Sequence, residues 1–322
     1  RSDPPRVRSP PARDPARPAA RRPAASVLLV RPGAAAPIDV YMIRRQQTMR
    51  FLGGFYAFPG GKVDPADADP ALLARCRGLA TDSVERIFPG KEGAPALAYW
   101  VTAARELLEE TGLLVATDRE GRPISAADPA IAAIVAGMRH ALVAESGRLL
   151  DLITAVDWYL DVAPLRYLSH FITPPSSPIR FTARFFLAPL PEGQAPRLFT
   201  EETSEGLWIA PAEGVKRYEA GDMPMAEPAE SGLRYLAGFP SLDALWAAHA
   251  DEMAAVAEEA GFDPAGFGAA FAAREARNET FRDFLTAQAL GIRGFPTLIA
   301  GSEEKGYALL TNGYRPLEDL AE

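Results

Sequence analysis

The sequence predicts an α+β fold, and three observations predict it. Short apolar runs begin at Ala24, over Ser26–Val30, Ile38–Ile43 and Phe55–Phe58, and read as strands. Two longer runs, Leu165–Thr173 and Arg180–Leu190, flank Pro174-Pro175-Ser176-Ser177-Pro178 and read as two more. Between and after the strands, apolar residues recur at helical spacing, most clearly before Gly112 and over Pro129–Ala144. Apolar content of 48% and charged content of 24% are those of an ordinary globular protein. At 322 residues the chain is long for one domain and predicts one large domain plus an extra piece.

Residues 1–23 hold seven prolines and seven arginines with almost nothing to bury, and are expected to be disordered. Against two aspartates the arginines make this segment +5, so with a total of −8 the rest of the chain carries −13. A body that acidic speaks against nucleic acid as a partner, because phosphate contacts need clustered basic residues. No run of about eighteen apolar residues exists to span a membrane. Residues 1–23 also lack the apolar centre of a secretory signal. The single cysteine, Cys76, excludes an intrachain disulfide and a Cys-rich metal site. That fits a reducing cytoplasm, the expected location. The sequence sets no oligomeric state.

Taken in order, Val40 and Met42 alternate with Asp39 and Tyr41 as in a half-buried strand. Residues 68–100 predict one or two helices, around Ala71–Leu79 and Ser83–Phe88, closing in Pro- and Gly-rich turns. The stretch Ala103–Val115 follows. Read as a helix, it puts Glu106, Glu109 and Glu110 at i, i+3 and i+4, three carboxylates on one face. Trp100, Val101, Ala104, Leu107 and Leu108 form an apolar stripe opposite, and Gly112 supplies the stop, with Leu113-Leu114-Val115 expected as a buried strand. Like charges at i,i+4 typically cost roughly 0.2–0.5 kcal/mol. A divalent cation in front of the three acids would offset that, since a hard cation takes clustered oxygens; a solvated acidic face is the plainer reading.

Farther on, Ile131, Ile134, Val135 and Met138 mark one face of a helix over Pro129–Ala144, with His140 a surface or packing residue rather than a ligand. The Phe185-Phe186-Leu187 run predicts a central strand covered on both faces. Pro211–Ala220 and Glu227–Phe239 read as short helices, and Ser241 caps another that runs to about Ala250.

The acidic helix and the turn Phe58-Pro59-Gly60-Gly61-Lys62 together carry a family resemblance. Gly61, then Asp67, then Arg105-Glu106-Leu107-x-Glu109-Glu110-x-Gly112-Leu113 resembles the signature box of the Nudix hydrolases. Two features depart from it. The first acid is Asp67 where the family usually has Glu, and residues 68–104 stand inside the box, 30 more than the compact form holds. An insertion at this place resembles the peroxisomal-type coenzyme A diphosphatases. Arg45, Arg50, Gly54 and Phe58-Pro59-Gly60-Gly61 match, in part, the motif which coenzyme A-cleaving members carry before the box.

The resemblance implies an α/β/α sandwich with a mixed sheet over residues 24–250, interrupted by a helical insertion at 68–104. It implies magnesium or manganese held by Glu106, Glu109, Glu110 and the carbonyl of Gly60, with Arg105 orienting a neighbouring carboxylate. The implied substrate is a nucleoside diphosphate derivative, coenzyme A or acyl-coenzyme A first and ADP-ribose or a dinucleotide second, contacted by Arg45, Arg50, Gly54, Phe58 and Gly61. Family members often place an acid on a loop before a strand whose Trp packs beneath the site. Glu202, six residues before Trp208, fits that spacing as a metal ligand or base, with Glu205 second. A non-catalytic scaffold whose split box no longer closes is the alternative from another class.

Residues 251–322 change character. A helix starts at Asp263-Pro264, a second amphipathic stretch runs from about Glu279 to Leu290, and Gly294-Phe295-Pro296-Thr297 leads to Lys305–Thr311. This is similar to the end of a DsbA-type thioredoxin-fold protein whose Cys-x-x-Cys is missing, which implies a truncated segment without dithiol chemistry.

Overall fold

The structure is a computed structural model that describes residues 20–49, 52–79, 84, 95–175, 177, 179–201, 203–248, 297–302 and 306–312. The apolar runs become β1 (Arg21–Pro32), β2 (Ile38–Arg45), β3 (Tyr56–Ala57) and β4 (Gly60–Lys62). A 3₁₀ turn over Pro65–Ala68 leads into α1 (Pro70–Leu73) and β5 (Cys76–Arg77). Next come α2 (Ala96–Thr111), β6 (Ala116–Thr117), α3 (Pro129–Val143), α4 (Leu149–Ala155) and β7 (Tyr159–Asp161). Three long strands follow, β8 (Arg166–Ile172), β9 (Arg180–Pro189) and β10 (Thr203–Ile209). Helices α5 (Pro211–Glu219), α6 (Glu227–Ala237) and α7 (Leu242–Ala248) come next, and a hairpin of β11 (Thr297–Ser302) and β12 (Gly306–Asn312) stands near the end of the chain.

Seven strands form a mixed sheet in the order β10-β2-β1-β9-β8, with β3 on β2 and β4 on β1. The β1–β9 pair is parallel and the other pairs are antiparallel. Alternate residues sort to opposite faces, as the pleat requires. Val27, Leu29, Tyr41, Ile43 and Phe186 pack with α2, α3 and α4. Leu28, Val30, Val40, Met42, Phe185 and Leu187 pack with α6 and α7. The fold is therefore α+β, an α/β/α sandwich, and Phe185-Phe186-Leu187 lies in a doubly covered strand as expected. Ser241 does cap α7, its Oγ accepting from the Ala244 amide at 3.1 Å.

Trp100 anchors α2. It is 1% exposed, donates its indole N–H to the Leu165 carbonyl at 2.7 Å and meets Phe186 edge-on at 4.9 Å. With Leu107 and Leu108 also buried, this stripe contributes roughly 1.5–3 kcal/mol per large side chain. Gly112 caps the helix in the left-handed conformation, φ 73°.

Four expectations need correction, and a fifth, the helix over Ser83–Phe88, lies almost wholly outside the described residues. Arg21, Arg22 and Pro23, expected in a disordered tail, are strand residues opposite Arg180, Phe181 and Thr182; residues 1–19 lie outside the described ones. The helix expected over Ala71–Leu79 stops at Leu73, because the carbonyls of Arg75 and Arg77 accept from the Leu160 and Val162 amides, each at 3.0 Å, and draw this segment into a strand. Of Ser83–Phe88 only Val84 is described, and it is fully buried. Leu113-Leu114-Val115 is buried but is no strand: the Gln194 amide pairs with both the N–H (3.0 Å) and the C=O (2.8 Å) of Leu114, where a strand partner would stand. On α3, Val135 and Met138 are buried while Ile134 is 39% exposed, so the apolar stripe is narrower than predicted.

Residues 249–296 lie outside the described residues, and with them both C-terminal helices and most of the Gly-x-Pro-Thr turn. A lone hairpin does not establish a thioredoxin-like fold. Among the described residues no helix is long and apolar enough to cross a membrane.

Candidate active site

The last two turns of α2 run beside the Gly60-Gly61 turn of β4, and the contact is intimate. A Cβ on Gly61 would lie 2.3 Å from Glu106 Oε1, and one on Gly60 would lie 2.3 Å from the Ala25 carbonyl oxygen. Gly60 also has φ 155°, a conformation that side chains disfavour. Its N–H donates to Glu110 Oε2 at 2.7 Å. The two glycines are thus what lets the strand and the acidic helix meet across the insertion.

Arg105 closes the contact from the other side. Its Nε and Nη2 donate to the two oxygens of Asp67 at 2.8 and 2.9 Å, and Nη2 also donates to the Lys62 carbonyl at 2.9 Å. Its Nη1 donates to Glu106 at 2.8 Å and to Glu109 at 3.2 Å. Asp67, 1% exposed, accepts in addition from Thr102 Oγ1 at 2.8 Å and from the Asp64 amide at 2.9 Å. The residue that departs from the Nudix pattern is therefore the seat of the arginine. The sequence shows no sign of Thr102 in this role beyond its place one turn before Arg105.

Burial disfavours charge on both partners, and the local fields split them. Burial opposes the Arg105 cation, but the hydrogen bond to Asp67 and the charges of Glu106, Asp67 and Glu109 raise its pKa well above the ordinary arginine value. Burial pushes the Glu106 carboxyl up to about 7, against the lowering effect of Arg105 and with further help from Glu109 and Asp67. Three acids share the one guanidinium, and Glu110 stands beside them on the Gly60 amide, so carboxyl groups outnumber cations in the cluster.

The predicted residues do not all converge. Among the described residues no group of three or more His, Cys, Asp or Glu side chains is arranged as a ligand set, because Glu106 and Glu109 turn to Arg105 while Glu110 turns to the Gly60 amide. The donors are nevertheless all carboxylate or carbonyl oxygen, which suits a hard cation such as magnesium. Arg45 follows Tyr41 and Ile43 along the α2-facing side of β2, and its Nε is buried with no hydrogen-bond partner among the described residues. Gly54 is buried and closes the β2–β3 turn, its amide donating to the Arg45 carbonyl at 3.1 Å and its carbonyl accepting from Arg44 Nε at 3.2 Å.

Phe58 is 4% exposed and packs in the core beneath α6, where a Cβ on Gly232 would lie 2.7 Å from its ring. Arg50 and Glu202 lie outside the described residues. Glu205 sits on β10 and accepts from Tyr56 Oη at 2.6 Å, a contact that also raises the Tyr56 pKa after burial has done so. Trp208 packs on the α2-facing side of the sheet, edge-on to Tyr41 at 5.3 Å and under the Arg31 guanidinium at 4.2 Å. His140 is exposed.

Residues 18–236 match the family model described as the NUDT19 Nudix domain. The chain belongs to that family of Nudix hydrolases. The crystal structure of a Nudix hydrolase from Alicyclobacillus acidocaldarius is similar at 33% identity and a TM-score of 0.55, covering 69% of this chain and 94% of that one. The acyl-coenzyme A diphosphatase NUDT19 of Gallus gallus is 26% identical over 266 residues, covering 70% of each chain. A Caenorhabditis elegans protein that carries a provisional nudix hydrolase name is 29% identical over 192 residues, 59% of this chain; the match spans about half, 52%, of that relative's length. This Nudix hydrolase thus combines the family box with an insertion within it, and Nudix hydrolases generally use divalent metal ions.

Proposed function

We propose that this Nudix hydrolase cleaves the diphosphate linkage of coenzyme A or an acyl-coenzyme A, giving a phosphopantetheine and an adenosine bisphosphate. The observation that carries the reading is the closure of the split box. Gly60 bonds to Glu110, fifty residues away, and Arg105 bonds to Asp67 and Lys62. A box that no longer closed would support the scaffold alternative instead. The substrate class is supported by the name of the Gallus gallus relative and by Arg45, whose buried Nε lacks a partner among the described residues. Guanidinium forks suit phosphate oxygens, and Arg50 is assigned with Arg45 on the same motif.

Glu106, Glu109, Glu110 and the Gly60 carbonyl would hold magnesium or manganese. When bound, such an ion neutralises the diphosphate and makes phosphorus more electrophilic. Arg105 orients Glu106 and Glu109 through its two hydrogen bonds. A water attacks phosphorus in line, one P–O bond forming as the anhydride P–O bond breaks. Glu202 or a glutamate of α2 takes the proton of that water. Residues 24–250 are assigned as the hydrolase unit and 251–322 receive no role. A cytoplasmic location is assigned only on the sequence's single cysteine, a usage that suits a reducing compartment.

The test is a product panel with magnesium chloride over coenzyme A, ADP-ribose and a reduced dinucleotide. Coenzyme A turnover is expected, reduced at least about a hundredfold in Glu109→Gln. Fast ADP-ribose cleavage with inert coenzyme A would replace the substrate, and no turnover of any compound would leave the scaffold reading standing.

A further inference from the structure

We infer that Arg139 is a positioning residue of this enzyme, fixing the loop 197–203 against the C-terminal end of α2. Arg139 comes from α3, outside both halves of the box, and is 8% exposed. Its Nε donates to the Glu109 carbonyl at 2.7 Å, one of the four carbonyls that a helix end leaves without an intrahelical partner. Its Nη1 and Nη2 donate to the Glu201 carboxylate at 3.4 and 3.3 Å, and its guanidinium carbon lies 3.3 Å from the centre of the Phe199 ring. One guanidinium therefore touches the backbone of a candidate metal ligand and, on its other edge and face, two side chains of the loop.

The loop is tied at its two ends as well. The Arg197 amide donates to the Thr111 carbonyl at 2.9 Å, and a Cβ on Gly112 would lie 3.2 Å from the Phe199 ring. At the β2 end, Gln46 Nε2 donates to the carbonyls of Thr200 (3.0 Å) and Thr203 (3.1 Å), and Thr203 Oγ1 donates to the Phe199 carbonyl. Burying an arginine is costly unless every donor is matched, and a leucine could fill the same space at less cost. What the arginine adds is register, between the last turn of α2 and the short segment carrying Phe199 and Glu201. A loop acid that accepts a proton must be held to a fraction of an ångström relative to the acids of α2. The inference thus rests on the proposed hydrolysis and on a loop carboxylate as proton acceptor.

The test uses the full chain and two variants. Arg139→Met keeps the stem over Phe199 and removes the fork; Arg139→Lys keeps the charge. Hydrogen exchange without metal or substrate is expected to speed up about tenfold or more at the 197–203 amides in Arg139→Met, while the first three turns of α2 stay protected. On whichever panel compound is cleaved, kcat is expected to fall roughly ten- to a hundredfold with KM held within about threefold, and Arg139→Lys to recover part of it. Unchanged loop exchange overturns the inference. So does faster loop exchange with unchanged kcat, or a loss carried by KM alone. The exchange arm needs no turnover, so a failure of the hydrolase reading would appear as an inactive wild type beside a responsive loop. Full activity in Glu202→Gln would remove that residue as base without touching the exchange result.

Discussion

Asp67 and Arg105 stand thirty-eight residues apart in sequence and meet through two parallel hydrogen bonds, 2.8 and 2.9 Å long, with side chains 2% and 12% exposed. This pair is the bolt that joins the halves of the box. Breaking it leaves a cation buried without its main partner. Asp67→Asn is expected to destabilise the protein by about 3 kcal/mol, measured by urea unfolding, and to lower hydrolysis with it. A loss under about 0.5 kcal/mol would show that Arg105 holds its place without Asp67.

Glu106 gives a pH dependence of the metal-free protein with a definite sign. Its folded pKa is raised to about 7 from 4.5, chiefly by burial. The folded state therefore holds a proton that the unfolded state has lost. The corresponding stability is fully present below about 4.5 and is lost as pH rises through about 7, on the order of 2–3 kcal/mol over that window. Glu106→Gln, which cannot ionise, should flatten this part of the curve in denaturant titrations at pH 5 and pH 8, two pH values on the order of the window's limits. A wild-type curve already flat between these values would contradict the shift.

Gly61 is predicted to tolerate no side chain. Gly61→Ala puts its methyl group 2.3 Å from Glu106 Oε1, so the carboxylate must leave or the strand must shift. Overpacking of this kind costs about 1–3 kcal/mol. Magnesium-dependent turnover is expected to fall much further than thermal stability, because the displaced group belongs to the acidic cluster. Equal losses would point to general unfolding instead.

Cys76 is expected to be chemically silent. Burial pushes its thiol up to about 12, leaving almost no thiolate at neutral pH. Alkylation by iodoacetamide at pH 7.5, roughly a unit below an ordinary thiol pKa, should be at least about a hundredfold slower in the folded protein than in denaturant. Rapid native labelling would show that the α1–β5 segment opens readily.

Local signals were easy to read where pattern alone decides the structure. The stripe from Trp100 to Leu108, the stop at Gly112 and the Phe185-Phe186-Leu187 strand all follow from spacing, and all three appear in the fold. What spacing could not show was pairing at long range. Nothing in Arg75-Cys76-Arg77 announces that Leu160 and Val162 will claim its carbonyls, and nothing around Gln194 announces that it will stand in for a strand beside Leu114. The site divides the same way. Glu106, Glu109, Glu110 and the two glycines declare themselves by motif, whereas Arg139 is one more polar residue on a helix until its three partners are seen together. Phe58 belongs to the same motif, but its burial in the core beneath α6 is not legible from the motif.

The parallel seam between β1 and β9 has a consequence for how the chain is made. Arg21 lies opposite Arg180 and Val30 opposite Pro189, so the central strand waits for a partner synthesised 159 residues later (180 − 21). During translation the first hairpin must leave the ribosome with one apolar edge bare. Contacts this distant form slowly, and such an edge is open to wrong partners meanwhile. Nascent chains released before Pro189 should therefore depend heavily on chaperones, and those extended beyond it far less.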